Sequence, residues 1–226
     1  MIRRNWIKLI ADALQKDYVT ALELISETNK NKLIWYKTFK ANYNTETFCL
    51  ASANDFFDFS KEGIDALIKD KALKDSEKII DVGAGVGLTT LMLREKYREK
   101  YIFYNNLRGL QSKVAKRVLS SDKDFILKSA ELIDTKVDTI ICFEFLEHFE
   151  NPCKIFETLV RNTESRKIIM QNSFGGFGYG HFPFYKINGE RVRSCDAKNA
   201  FNEWLIKKNY KLKFIKKSRV IVAEKQ

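Results

Sequence analysis

The sequence is poor in proline and histidine, with two of each in 226 residues, and its four cysteines stand far apart. So few prolines exclude a long proline-rich linker. Cys49, Cys142, Cys153 and Cys195 form no Cys-x-x-Cys pair, and no secretory signal accompanies them. A reduced, intracellular, cytoplasmic protein is therefore expected. No apolar run approaches the ~20 residues that span a bilayer, so no transmembrane segment is expected. Signatures of dedicated nucleic-acid-binding modules are missing too, and there is no internal repeat.

What is present is ordinary in amount. A hydrophobic share of 45% supplies a core, and the length fits one domain with an appendage. The formal net charge of +11 suits an anionic partner such as RNA, a nucleotide-linked substrate or a membrane surface. A solvated basic surface explains it as well, because Lys and Asn are spread throughout. The cluster Lys207, Lys208, Lys211, Lys213, Lys216, Lys217 and Arg219 reads as a solvated edge hairpin, where lysines discourage sheet-to-sheet aggregation.

Residues 1–45 read as helical. Trp6, Leu9, Ile10, Ala13 and Leu14 recur at helix spacing, followed by Leu22, Leu24 and Ile25, then Leu33 to Phe39. Ser52 to Phe59 reads as an aromatic-rich connector. Ser60 reads as the N-cap of a helix running through Leu67 and Ile68. From Lys78 the rhythm changes. Short apolar runs at 79–82, 101–104, 125–127, 137–143 and 167–170 alternate with helical stretches at 88–97, 111–119 and 153–161. That alternation predicts a parallel sheet wrapped by helices. A helix over Ala197–Lys208 and two last runs, Lys211–Ile215 and Val220–Ala223, predict a closing antiparallel hairpin on the sheet edge.

The turn after the first run reads Asp81-Val82-Gly83-Ala84-Gly85-Val86-Gly87. Glycines let backbone approach a ligand at the carboxyl end of a strand. A dinucleotide fingerprint needs Gly-x-Gly-x-x-Gly, and here the third glycine comes one position early. That register resembles motif I of the class I S-adenosylmethionine (SAM) methyltransferases. The stretches 137–152 and 167–173 resemble that family's fourth and fifth strands, so the likeness covers residues 76–226. It implies a doubly wound, mostly parallel, seven-stranded Rossmann-like sheet in an α/β domain over 76–226, with 1–75 as a helical cap or a dimer contact. It implies cofactor contacts from Asp81, Gly83, Ala84, Gly85 and Gly87, from Ser129 and Ala130 beside adenine, and from Phe143. The acidic residue that usually closes the second strand is replaced by Asn106, which can accept and donate but lacks a carboxylate's charge.

Glu144-Phe145-Leu146-Glu147-His148 sets two carboxylates three apart with His beside the second. The other histidine, His181, follows the fifth strand, so both fall at the carboxyl rim. Glu-x-x-Glu-His with a later His resembles the metal site of methyltransferases acting on catechol-type hydroxyls or on the 2′-hydroxyl of small RNAs. That resemblance implies Glu144, Glu147, His148 and His181 as ligands of Mg, Mn, Fe or Zn. A metal-free reading makes His148 or His181, with Glu144, the acid–base apparatus. The loop from Ser173 to Tyr185, rich in glycine and aromatics, reads as a cover over an acceptor or as packing against the N-terminal helices.

Taken together, these residues lead to the expectation of SAM-dependent methyl transfer to a hydroxyl of a small molecule: a sugar, a nucleotide-linked sugar or a phenol. Two rivals stand beside it, an RNA ribose 2′-O-methyltransferase and a non-catalytic SAM- or nucleotide-binding protein.

Overall fold

The computed structural model describes residues 3–30, 45–120, 124–175, 181–215 and 219–226. The apolar run Leu33–Phe39 and the middle of the glycine-aromatic loop, 176–180, lie outside the described residues. Among the described residues four helices come first: α1 (Arg3–Ala13), α2 (Tyr18–Lys30), α3 (Glu46–Asp55) and α4 (Phe57–Asp70). Then strands and helices alternate: β1 (Lys78–Val82), α5 (Leu88–Lys96), β2 (Tyr101–Asn105), α6 (Leu110–Leu119), β3 (Phe125–Ile126), β4 (Thr139–Phe143), α7 (Pro152–Thr163) and β5 (Lys167–Gln171). A small hairpin, β6 (Phe184–Ile187) and β7 (Glu190–Arg193), leads into α8 (Ser194–Lys207), β8 (Tyr210–Phe214) and β9 (Ile221–Lys225).

The sheet order is β3-β2-β1-β4-β5-β9-β8. Strands β1 to β5 are parallel; β9 enters antiparallel beside β5, and β8 closes the edge antiparallel to β9. The doubly wound, mostly parallel α/β sheet and its final hairpin are as the sequence predicts. Strand order reverses between β1 and β4, which is where such sheets bind ligands.

Period-two alternation explains the layers, because successive side chains leave a strand on opposite faces. Ile79, Ile141, Phe143, Ile169 and Val222 join a core with Leu67, Leu88, Met92 and Val114, and this core also takes Trp6 and Ile10 of α1. Ile80, Val82, Ile140, Cys142, Ile168 and Met170 join the opposite core, with Phe156, Leu159, Phe201 and Trp204 of α7 and α8. The N-terminal helices thus share the first core with α5 and α6. The Arg117 guanidinium of α6 ties them further, donating to the Ala13 carbonyl.

Three local readings are corrected. Ser52 to Phe59 is no connector: α3 and α4 run through it with only Phe56 between them. Thr45 caps α3 by accepting the Phe48 N–H at 3.2 Å, and residues 45–62 contain neither glycine nor proline to stop a helix. Ser60 accordingly sits inside α4, where its hydroxyl accepts from Thr89 Oγ1 at 3.3 Å. The β6–β7 hairpin replaces part of the expected loop. Its turn, Asn188-Gly189, has φ of 53° and 85°, the left-handed pair that tight hairpins require. Among the described residues no helix is long and apolar enough to cross a membrane.

Gly63 shows how tightly α4 seats on the sheet. A Cβ there would lie 2.6 Å from both the Phe143 ring and Gln171 Oε1. Replacing helical glycine by alanine normally gains up to about 1 kcal/mol, whereas forcing a methyl into a filled core costs about 1–3 kcal/mol. The second effect should win: Gly63→Ala is expected to lower the urea midpoint, and a raised midpoint would show that α4 lifts freely.

Candidate active site

The chain leaves β1 through a turn built on left-handed backbone. Gly83, Gly85 and Gly87 have φ of 71°, 54° and 89°, a region costly for residues with a Cβ. At Gly83 the space is also taken, since a Cβ would overlap the Phe145 ring. Gly87 serves differently: it caps α5, and its Cα packs towards Ala115 and Leu119 of α6. The turn is pinned to β2. Ala84 N–H donates to the Asn105 carbonyl at 3.0 Å, and the Tyr104 hydroxyl donates to the Gly85 carbonyl at 2.5 Å.

Asn105 and Asn106 split two tasks. Asn105 Nδ2 donates to the carbonyls of Ile126 and Lys128, at 2.8 and 3.1 Å. This fixes the segment that carries Ser129 and Ala130. Asn106 Nδ2 donates to Gln111 Oε1 at 3.3 Å and points to the Gly85 carbonyl at 3.5 Å. Asn106 is therefore positioned by the glycine turn and by the start of α6.

These pieces enclose one cavity of about 610 Å³. Asp81, Gly83, Ala84, Gly85, Asn106, Ser129, Ala130, Phe143, Glu144 and His148 all line it. Gly87, Glu147 and His181 are not among the lining residues. Sequence reasoning missed Gln111, Phe145 and Phe149, and it missed a whole wall formed by Phe48, Ser52, Phe56, Phe59 and Ser60 of the N-terminal helices. A signal for that wall exists: positions 48, 52, 56 and 59 follow helical spacing.

Glu144, Glu147 and the histidines take an arrangement unlike a metal site. Among the described residues no three His, Cys, Asp or Glu side chains are grouped to hold an ion. The two carboxylates gather around Ser173 instead, whose N–H donates to Glu147 Oε1 at 2.8 Å and whose hydroxyl donates to Glu144 Oε1 at 2.9 Å. Glu147 is fully buried, and burial first, then the adjacent Glu144 charge, pushes its carboxyl well above the usual range. Burial also raises Glu144, against the Ser173 hydrogen bond. Glu144 has φ of 48°, a strained conformation for a residue with a Cβ. The His148 and His181 rings meet edge to face with centroids 5.3 Å apart. Among the described residues, the divalent ion implied by the sequence resemblance therefore has no fitting donor set.

Asp81 is a further ionisable group on the cavity wall. Burial raises its pKa to about 7, partly opposed by the Thr90 hydroxyl that donates to it at 2.6 Å. The unfolded chain ionises this carboxyl near pH 4, while the folded protein keeps the proton until about pH 7. Its contribution to stability is thus whole below pH 4 and is lost as pH rises through 7. Urea unfolding at pH 5 and pH 8 should show a steeper loss for the ligand-free wild type than for Asp81→Asn. Equal pH dependence in both would show that Asp81 ionises normally.

Comparison with known families matches residues 53–171 to the model of a methyltransferase domain. Comparison with curated protein sequences finds no match. Among solved structures, PigF with SAH is similar at TM-score 0.63 and 12% identity, over 98% of this chain and 75% of that one. Magnesium protoporphyrin IX methyltransferase from Synechocystis PCC 6803 with bound SAM follows at 0.54 and 14%, over 91% and 97%. A protein assigned as an O-methyltransferase from Nostoc punctiforme PCC 73102 is similar at 0.53 and 20%, over 79% of this chain but only 59% of that one. At such identities these structures share the fold. The family match spans more than half of the sequence, and the chain belongs to the class I methyltransferase-domain family.

Proposed function

We propose that the protein transfers a methyl group from SAM to a hydroxyl of a small molecule, a sugar, nucleotide-linked sugar or phenol. One observation carries this reading: the glycine turn and the pair Glu144 and His148 line the same cavity. Asp81, Gly83, Ala84 and Gly85 would hold the methionine end, Asn106 the ribose, and Ser129 and Ala130 the adenine. The residues fit such a guest. The turn is stripped of side chains where a ligand must approach, and Asn106 is fixed with its amide donating towards protein, which leaves its carbonyl oxygen for a hydroxyl. Bound SAM supplies an electrophilic methyl group on a sulfonium.

The chain's own residues supply position and proton transfer. His148, on the cavity wall with Glu144, would accept the proton that the acceptor hydroxyl loses as its oxygen is methylated. His181, ring to ring with His148, would orient it. The aromatic wall of Phe48, Phe56 and Phe59 would receive the acceptor and exclude water. In that role residues 1–75 act as a cap. The four free thiols suit a reducing compartment, and we assign the protein to the cytoplasm.

Calorimetric titration with S-adenosylhomocysteine tests the cofactor reading. Binding should weaken about tenfold in Asn106→Ala, the worth of one good hydrogen bond. In a mass-spectrometric screen of hydroxyl acceptors, His148→Ala should lower turnover by about 10²–10⁴-fold with cofactor affinity retained. A folded protein that binds no S-adenosylhomocysteine would sink the reading, and one that binds it without turnover on any acceptor would favour a non-catalytic role.

A further inference from the structure

The β6–β7 ribbon grows directly out of the rim of the site. The Lys186 N–H donates to the Glu150 carbonyl at 2.7 Å, and the Tyr185 hydroxyl donates to the Glu147 carbonyl at 3.0 Å. His181 stands three residues before Phe184, so at most about 11 Å of chain separates them. One face of the ribbon is buried through Tyr185 and Ile187. The other is exposed, and the register places Phe184 opposite Arg193 and Lys186 opposite Arg191 on it.

That outer face has an unusual composition for a short hairpin. The Arg191 guanidinium lies over the Phe184 ring at 4.0 Å. Lys186 is partly neutralised by Glu150 at 3.4 Å. Arg191 and Arg193 make no ion pair with a carboxylate among the described residues. Lys198, on the helix that follows, is near enough to Glu144 to favour its charged form.

The size of the patch selects the ligand. Same-face residues along a strand are about 7 Å apart and cross-strand partners about 5 Å. Two rungs therefore cover one ring and one or two phosphates. A polymer track would need basic groups repeated over many such rungs. We propose that the outer face of the β6–β7 ribbon binds the nucleoside diphosphate part of the acceptor, with the base stacked on the Phe184–Arg191 pair and the phosphates held by Arg191, Arg193 and Lys186. Resting on the methyl-transfer reading above, this names the acceptor class: a nucleotide-linked molecule whose hydroxyl reaches His148 while its nucleotide stays outside the cavity. Arg side chains suit the role because their planar fork pairs with phosphate and stacks on flat rings.

The test uses protein saturated with S-adenosylhomocysteine, so that the cofactor site is filled, titrated with UDP, ADP, dTDP and inorganic pyrophosphate at about 0.15 M salt. At least one nucleoside diphosphate should bind tenfold or more tighter than pyrophosphate. That binding should weaken at least tenfold in Arg191→Gln/Arg193→Gln, and Phe184→Ala should reduce it to the pyrophosphate level. These side chains are exposed, so unchanged S-adenosylhomocysteine affinity reports an intact fold. No nucleotide binding, or binding indifferent to the double variant, overturns the assignment while leaving the methyltransferase reading intact. A ten-nucleotide single-stranded RNA that binds in a variant-sensitive way when diphosphates do not would also overturn it, in favour of a polymeric acceptor.

Discussion

The backbone at Gly83 has to pass beneath the Phe145 ring in a left-handed conformation, and no side chain fits there. The rest of the carboxyl rim is arranged around that passage. Phe145 belongs to the exit loop of β4, so the close approach joins the two strands that flank the switch point. The amides of Phe145 and Leu146 are in turn aimed at Asn172 Oδ1 beyond β5, at 3.5 and 3.2 Å. Three strand ends are thereby locked together through one turn, and the segment carrying Glu144 and His148 has little freedom to drift from the glycines. Cavity shape and the positions of Glu144 and His148 share a common frame because they share this contact.

Costs collect along the same rim. Asp81 and Glu147 are buried carboxyls, Glu144 holds a positive φ, and the Gln171 amide is fully buried with no partner among the described residues. Each such feature costs of order 1–3 kcal/mol. Away from the rim the two cores are apolar and follow simple alternation. A protein selected for stability alone would have no reason to gather its buried carboxyls and the unpartnered Gln171 amide at the ends of β1, β4 and β5. Their location supports function at this edge, independently of the family match.

Much of this was legible in the sequence, for identifiable reasons. The sheet was, because five apolar runs at regular spacing have few other ways to bury themselves. The glycine turn was, because steric demand on backbone leaves glycine as the only answer. The β8–β9 hairpin followed from the same run counting. What escaped was tertiary. Ser52, Phe56 and Phe59 look like part of an aromatic-rich connector until a wall of the cavity is there to receive them, although Thr45 and the absence of helix breakers gave warning. The Asn188-Gly189 hairpin escaped because its strands are only four residues long and it lies just past the glycine-aromatic loop. The Glu144–Glu147–His148 pattern left a metal reading and a metal-free reading open. Its residue types suit a metal, but only the backbone decides where side chains point, and here Ser173 collects both carboxylates.

The N-terminal helices deserve a physical place rather than the status of an appendage. Trp6 and Ile10 of α1 are buried in the same core as Ile79 and Ile141 of the sheet, and burying such side chains stabilises by roughly 2 kcal/mol each. Stripping away α1 to α4 would expose that face of the sheet and open the cavity along the Phe48–Phe59 wall at once. Fold stability and closure of the cavity wall therefore depend on the same helices. A lid that opens by detaching all of them would cost much of the first core. Admission of an acceptor is easier to reconcile with movement at the rim itself, where β6 and β7 are bound to the body through few hydrogen bonds and one buried face. Recognition outside the cavity and chemistry inside it would then be divided between the smallest element of the fold and the most constrained one.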